Sequence, residues 1–288
     1  MLKPEIPVDY RYEYKVAQHG MRYQFLIGLP FPLSYLQLNE TAEQAKLAFD
    51  KLAEENQQHG DILQANFWER YTQLATKYWA LLVYHTSHCA HVPLLVMSDD
   101  DLVLMPRRLQ RYVARHRAQF AGSTLSCSAI FTNAKAIRAT AGARKYAVAE
   151  AQWPAETLPR YCTGTTQLIT QHAAVAMRDA VIELGVDYVL AFQQLDDVVS
   201  GLLAQRANVS LQQIHGVGIA PYPPVSDICL PEVIGVHGLK PSHKYERFWN
   251  LRQRCCYDGA TQARSNNSCV RSQSFTPKAI VLRNRRKL

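Results

Sequence analysis

Three consecutive carboxylates, Asp99-Asp100-Asp101, follow the apolar run Pro93–Met97 and Ser98. A strand presents its chemistry at its C-terminal end, where loops open onto a crevice. Hard divalent cations such as Mn²⁺ or Mg²⁺ prefer carboxylate oxygens and leave open positions for phosphate. The triplet therefore reads as a metal–diphosphate platform, or as a solvated acidic turn that caps the next segment. A second pair, Asp196-Asp197, opens the helix-like run Val198–Ala207. A carboxylate there satisfies free backbone N–H groups, or serves as a general base beside a substrate hydroxyl. Pattern alone leaves both choices open.

Other reactive residue types form no comparable set. His85, His88 and His91 flank Cys89, but their spacing matches no closed zinc site, and no second cluster completes one. No Ser or Cys nucleophile with a paired base is signalled. The seven cysteines (89, 127, 162, 229, 255, 256 and 269) are an odd number, so at least one thiol is left unpaired or intermolecular. Sequons at Asn39, Asn208 and Asn266 are candidate N-glycosylation sites and lean towards the secretory pathway.

The elements that must position these residues alternate along the chain. Tyr23–Leu29 reads as a short buried strand stopped by Pro30 and Pro32. Glu40–Gln58 carries Ala42, Ala45, Leu47, Ala48, Leu52 and Ala53 at helical spacing, and His59-Gly60 ends it. Asp61–Leu63 begins a short strand, Trp68–Tyr84 reads as a helix, and Val92–Met97 as a buried strand. Arg107–Gln119, Ala173–Leu184 and Val198–Ala207 read as further helices. Such alternation implies an α/β layered sheet with helices on its faces.

Composition narrows the function. The 288 residues are 48% hydrophobic and 19% charged, which excludes wholesale disorder. The formal charge of +8 is unevenly placed: residues 240–288 hold 12 Lys/Arg and 2 Asp/Glu, and the other 239 hold 20 and 22. The body is nearly neutral, so a basic nucleic-acid groove is not expected there. Residues 1–250 are expected to form one domain and 251–288 a basic, disordered tail. Its Arg283, Arg285, Arg286 and Lys287 could meet a polyanion. Tyr78–Ser98 lacks Asp, Glu, Lys and Arg over about the length of a membrane helix, yet His85, His88, His91 and Pro93 suit a helix end, a connection and a strand better. The N-terminus has no apolar run of signal-peptide type.

Ordered motifs link these features. Glu55…His59-Gly60-Asp61-Ile62…Phe67…Tyr71…Leu74…Lys77 comes first, followed by Asp99-Asp100-Asp101. Pro159-x-Tyr161-Cys162-x-Gly164 and Asp196-Asp197-Val198-x-x-Gly201 complete the series, with Lys145-Tyr146 and Trp153 in step. From about Tyr23 to Trp249 the chain resembles the β-1,3-galactosyltransferase/N-acetylglucosaminyltransferase family, glycosyltransferase family 31. The resemblance implies a GT-A fold, with a central mixed sheet flanked by helices, and a UDP-sugar donor with Mn²⁺ (or Mg²⁺). It further implies inverting β-1,3 transfer of galactose or N-acetylglucosamine to a glycan acceptor on glycoprotein or glycolipid.

It also implies residue roles. Asp101, Asp99 and a downstream His, best matched by His237 with His215 as the fallback, would hold the metal. Asp99, Asp100, Lys77 and Asp61 would serve the nucleotide-sugar. Asp197, then Asp196, would be the base. Tyr161 and Gly164 would line the acceptor pocket, and Cys89 would pair with Cys162. Golgi-lumen residence is implied too, with a membrane anchor supplied by something absent from this sequence. The family's opening strand and Arg-rich Thr-Trp segment are not matched ahead of Tyr23, and its glycine-rich run is reduced to Gly164-Thr165-Thr166-Gln167. A divergent, N-terminally truncated member is therefore expected, the alternative being an inactive glycan- or polyanion-binding relative.

Overall fold

The computed structural model describes residues 23–29, 42–139, 144–218, 232–238 and 248. The expected basic tail, Asn39 and Asn266 lie outside the described residues. The elements in order are β1 (Phe25–Leu29), α1 (Ala42–His59), β2 (Ile62–Trp68), α2 (Leu74–His88), β3 (Leu94–Ser98), β4 (Leu102–Leu104), α3 (Pro106–Arg115), β5 (Thr124–Cys127), β6 (Ile130–Phe131), β7 (Tyr161–Cys162), β8 (Thr166–Thr170), α4 (Gln171–Leu184), α5 (Val186–Leu190), α6 (Asp196–Arg206), β9 (Ser210–Gln213), β10 (Val217–Gly218) and β11 (Gly235–His237).

A four-stranded mixed sheet in the order β3-β8-β5-β9 lies at the centre. The β3/β8 and β5/β8 pairs are antiparallel and β5/β9 is parallel. Central strand β8, Thr-Gln-Leu-Ile-Thr, is buried along its whole length. Its successive side chains point to opposite faces. Ile169 joins the larger core with Tyr78 and Leu82 of α2, Met177 and Val181 of α4, and Val199 and Leu203 of α6. Leu168 joins a second core with Leu102, Leu104, Leu109 and Ile234. Helices α2, α4 and α6 thus cover one face. The other is covered by α3 and by the small sheet β10-β11-β4. The α/β layering read from the sequence is present.

Local sequence explains the helix ends. Thr170 caps α4 by accepting the Ala173 N–H. Gly185 ends it at φ 95°, which a side chain would disfavour. Pro106 opens α3, where its missing N–H costs nothing. The expected helix over 68–84 is shifted. Strand β2 continues to Trp68, because it pairs in parallel with β1 as far as Leu29, and α2 runs over Leu74–His88. The charge-poor stretch 78–98 is the end of α2, a turn and β3, as its histidines and proline suggested. Among the described residues no helix is long and apolar enough to cross a membrane.

Candidate functional site

The acidic triplet is the link between two sheets. Ser98 closes β3 at the edge of the central sheet, and Leu102 opens β4 in the small sheet. The chain turns between them, with the Leu102 N–H on the Asp99 carbonyl at 3.3 Å. Antiparallel pairing of β11 with β4 sets His237 opposite Leu102, and the Gly238 N–H donates to the Asp101 carbonyl at 2.9 Å. This register carries an imidazole from 136 residues downstream onto the acidic turn. His237 Nε2 lies 3.0 Å from Asp101 Oδ1 and 3.6 Å from Asp99 Oδ2. One ligand atom from each of the three residues falls within 4.8 Å of the others. Hydrogen bonds to Asp101 and Asp99 hold the His237 imidazolium well above its ordinary range, to about 9. Asp100 is exposed in the same turn.

The second acidic pair occupies the first turn of α6, next to the turn between β7 and β8. Gly164 lies beside the pair: a Cβ there would make only ordinary van der Waals contact, 3.6 Å from Asp196 Oδ2 and 3.7 Å from Asp197 Cβ. Gly201 is tighter still, since a methyl group would run into the Arg160 carbonyl and Tyr161. Burial pushes Asp196 up to about 7, with the charges of Asp197 and Asp99 adding to it. Burial likewise pushes Asp197 up to about 6, partly offset by the Val198 N–H that its Oδ1 accepts at 3.0 Å. Both carboxylates also accept backbone N–H groups of the first turn of α6, as the capping alternative expected, while the N-cap residue Leu195 makes no side-chain cap.

The two acidic groups lie within electrostatic reach of each other. Asp99 raises both Asp196 and Asp197 through its charge, and its N–H donates to the Thr165 carbonyl in the intervening turn at 3.2 Å. Tyr161 flanks the pair; burial and then the Asp197 charge push its hydroxyl up to about 12. Its ring stacks on Phe131 at 5.2 Å.

The remaining expected site residues fall elsewhere. Lys77 Nζ is paired with Glu69 Oε1 at 2.7 Å, and Glu69 Oε2 accepts the Gly28 N–H at 2.6 Å. Asp61 is buried ahead of β2, its carbonyl accepting the Phe25 N–H. His215 is exposed after β9 and is no part of the metal-type trio. Asn208 is exposed in the turn after α6.

The expected Cys89–Cys162 pairing is incorrect. Cys162 is bonded to Cys127, with 5.7 Å between their Cα atoms, and Cys89 is free. The sheet register explains why. Cys127 lies opposite Gln167 and Cys162 four residues ahead of Thr166, both at the Ser98 end of the sheet. Cys89 precedes Leu94 at the other end, which pairs with Thr170. Four residues of strand separate the ends by roughly 13 Å, too far for a disulfide.

Sequence reading missed the buried side chains behind Asp197. Gln167 and Ser200, 1% and 0% exposed, join Tyr78 in one hydrogen-bonded set. Apolar periodicity gives no sign of it, because each of these residues is a polar break in its element. A polar strand in an otherwise apolar core was the available signal.

The galactosyltransferase family model matches residues 13–215. The chain belongs to this family. The match spans the acidic triplet, Tyr161–Gly164 and Asp196–Gly201 but ends before His237, which the fold brings to the triplet. The chain is 26% identical over 197 residues to a human acetylgalactosaminyl-O-glycosyl-glycoprotein beta-1,3-N-acetylglucosaminyltransferase, covering 68% of this chain and 47% of that protein. Human N-acetyllactosaminide beta-1,3-N-acetylglucosaminyltransferase 3 is 28% identical over 205 residues, with coverages of 71% and 50%. Beta-1,3-galactosyltransferase brn of Drosophila melanogaster is 23% identical over 201 residues, with coverages of 70% and 54%. The chain spans about half the length of the curated relatives it matches. Its recognition as a divergent member of the β-1,3-galactosyl- and N-acetylglucosaminyltransferases stands.

Proposed function

We propose that this chain is an inverting glycosyltransferase on a GT-A-type fold. It would move galactose or N-acetylglucosamine from a UDP-sugar to the 3-hydroxyl of a glycan acceptor, in β-1,3 linkage. The observation that carries the reading is two acidic groups of opposite character within electrostatic reach of each other: Asp99, Asp101 and His237 gathered within 4.8 Å, and Asp196 and Asp197 buried in the first turn of α6. Two carboxylates and an imidazole are a donor set that suits Mn²⁺ or Mg²⁺, and their ligand atoms lie close enough to share one ion. Asp101, Asp99 and His237 would hold the metal, and Asp100 would border the donor. When bound, the ion neutralises charge developing on the diphosphate leaving group.

The chain's own residues would do the rest. Asp197 is the first choice for the base. It stands nearer its ordinary range than Asp196, so it is ionised at neutral pH yet more basic than an exposed carboxylate. It would take the proton of the acceptor hydroxyl as that oxygen bonds to the anomeric carbon. The bond from that carbon to the diphosphate oxygen breaks on the opposite face, so a single displacement inverts an α-linked donor to a β-linked product. Tyr161 and Gly164 would border the acceptor beside this base. Lys77, held by Glu69, and Asp61 belong to the same reading as donor-side residues. Glycoprotein or glycolipid glycans are the acceptor class, in keeping with the acceptors that the relatives' names carry. Golgi-lumen residence and glycosylation at exposed Asn208 complete the proposal.

The test is a calorimetric titration of UDP with and without Mn²⁺, on wild type and Asp101→Ala. Mn²⁺-dependent UDP binding that disappears in the variant is the expected result. A folded wild type that binds no UDP at any Mn²⁺ concentration overturns the reading.

A further inference from the structure

Gln167 occupies an unusual place for an amide, the central strand of the sheet at 1% exposure. The Tyr78 hydroxyl donates to its Oε1 at 3.0 Å. Its Nε2 donates to the Thr163 carbonyl at 3.4 Å and to Ser200 Oγ at 3.2 Å. The Ser200 hydroxyl in turn donates to the Asp197 carbonyl at 2.7 Å. One side chain thus ties together α2, the turn between β7 and β8, and the first turns of α6.

Buried polar groups are costly unless paired, and a fully paired set admits one arrangement of its members. Here the members bracket the site. On one side the Thr163–Thr165 turn receives the Asp99 N–H at the Thr165 carbonyl. On the other, Ser200 holds the peptide of Asp197. Gly164 brings the turn against both Asp196 and Asp197 with no side chain between. An apolar residue at 167 would fill the same space in the sheet and leave the two acidic groups without this link.

We propose that Gln167 is a positioning residue for the transfer. Its amide sets the spacing between the Asp197 carboxylate and the acidic turn of Asp99 and Asp101, acting through Ser200 and the Thr163 carbonyl. The inference rests on the proposed transferase reading. Its test separates the two.

Gln167→Met keeps volume and removes the amide. Misplacement by about 1 Å costs on the order of 100-fold in rate, so kcat should fall roughly 10- to 100-fold while donor KM and Mn²⁺-UDP affinity remain within about threefold. Hydrogen–deuterium exchange, which needs no turnover, should quicken at amides 164–166 and 198–200 and stay unchanged at Leu125 in β5. Tyr78→Phe should give a smaller loss that does not add to the first. A lowered Tm with kcat and exchange unchanged, measured well below melting, would make Gln167 merely structural and overturn the proposal. Should Gln167→Met fail to fold, Ser200→Ala removes the hydroxyl that joins the Gln167 amide to the Asp197 carbonyl. It should lower kcat with donor KM kept, and an unchanged kcat overturns the proposal. A wild type without transfer refutes the transferase reading, and exchange alone then decides the link: faster exchange at 164–166 and 198–200 upholds it, and unchanged exchange removes it.

Discussion

Asp99 and Asp101 on one side of the site, and Asp196 and Asp197 on the other, are the same residue type under opposite electrostatic regimes. The first two are partly exposed and face an imidazolium at 3.6 and 3.0 Å. Their mutual repulsion is offset locally, and a cation could replace the proton on His237 at little structural cost. The second two are largely buried with no cationic side chain among the causes of their shifts, so their pKa values rise towards neutrality. A carboxylate cluster for binding a metal and one for accepting a proton therefore differ less in sequence than in what surrounds them. The first depends on an ion. The second depends on packing.

The largest expected effect separates these roles. Asp197→Asn removes the base without touching the trio, so transfer should drop by about 10² to 10⁴-fold with Mn²⁺-dependent UDP binding intact. Calorimetry and a product assay on one preparation check it; loss of UDP binding as well would merge the two regions into one.

Packing effects come next. The Cys127–Cys162 bond closes a span of 35 residues beside the buried pair. Cys127→Ser should lower unfolding free energy by about 2–4 kcal/mol, while leaving the metal trio unaffected in a protein that remains folded. Gly201→Ala should cost about 1–3 kcal/mol through overpacking against Arg160 and Tyr161. It should lower kcat more than it raises donor KM. Chemical denaturation and steady-state kinetics read both, and a variant that weakens UDP binding before transfer would show the pair's packing to support the trio.

The smallest effect is a pair of pH windows. Asp196 and Asp197 bind protons more tightly folded than unfolded, so their contribution to stability is full below about pH 4 and is lost as pH rises through about 6 and 7. His237 also gains a proton on folding. Its contribution is full below about pH 6.5 and lost as pH rises through about 9. Melting temperature in the metal-free protein should therefore fall in two steps, the upper one absent in His237→Ala. Saturating Mn²⁺ should shift the upper step and spare the lower. Transfer should rise with pH through about 6 as Asp197 ionises.

Much was legible in the chain because it is local. Helices α1, α4 and α6 follow from apolar spacing and end signals, β3 from an unbroken apolar run, and the two acidic sets from their positions at element ends. Strands β5, β8 and β9 were not legible. Their sequences Thr-Leu-Ser-Cys, Thr-Gln-Leu-Ile-Thr and Ser-Leu-Gln-Gln mix polar and apolar residues without a clean alternation. The first two are nonetheless buried throughout, because they lie inside a sheet covered on both faces.

The sequence by itself determined residue chemistry and local periodicity: which carboxylates exist, which helix carries a pair of them, and the family to which they belong. The family resemblance named His237 as a companion of Asp101, and tertiary structure decided how the companions meet. Register between β4 and β11 brought His237 to Asp101, sheet polarity chose Cys127 over Cys89 as the partner of Cys162, and the crossing of β8 with α2 and α6 made Gln167 a link. Each is a contact between residues far apart in sequence, and such contacts follow from strand order and packing, which no local pattern encodes.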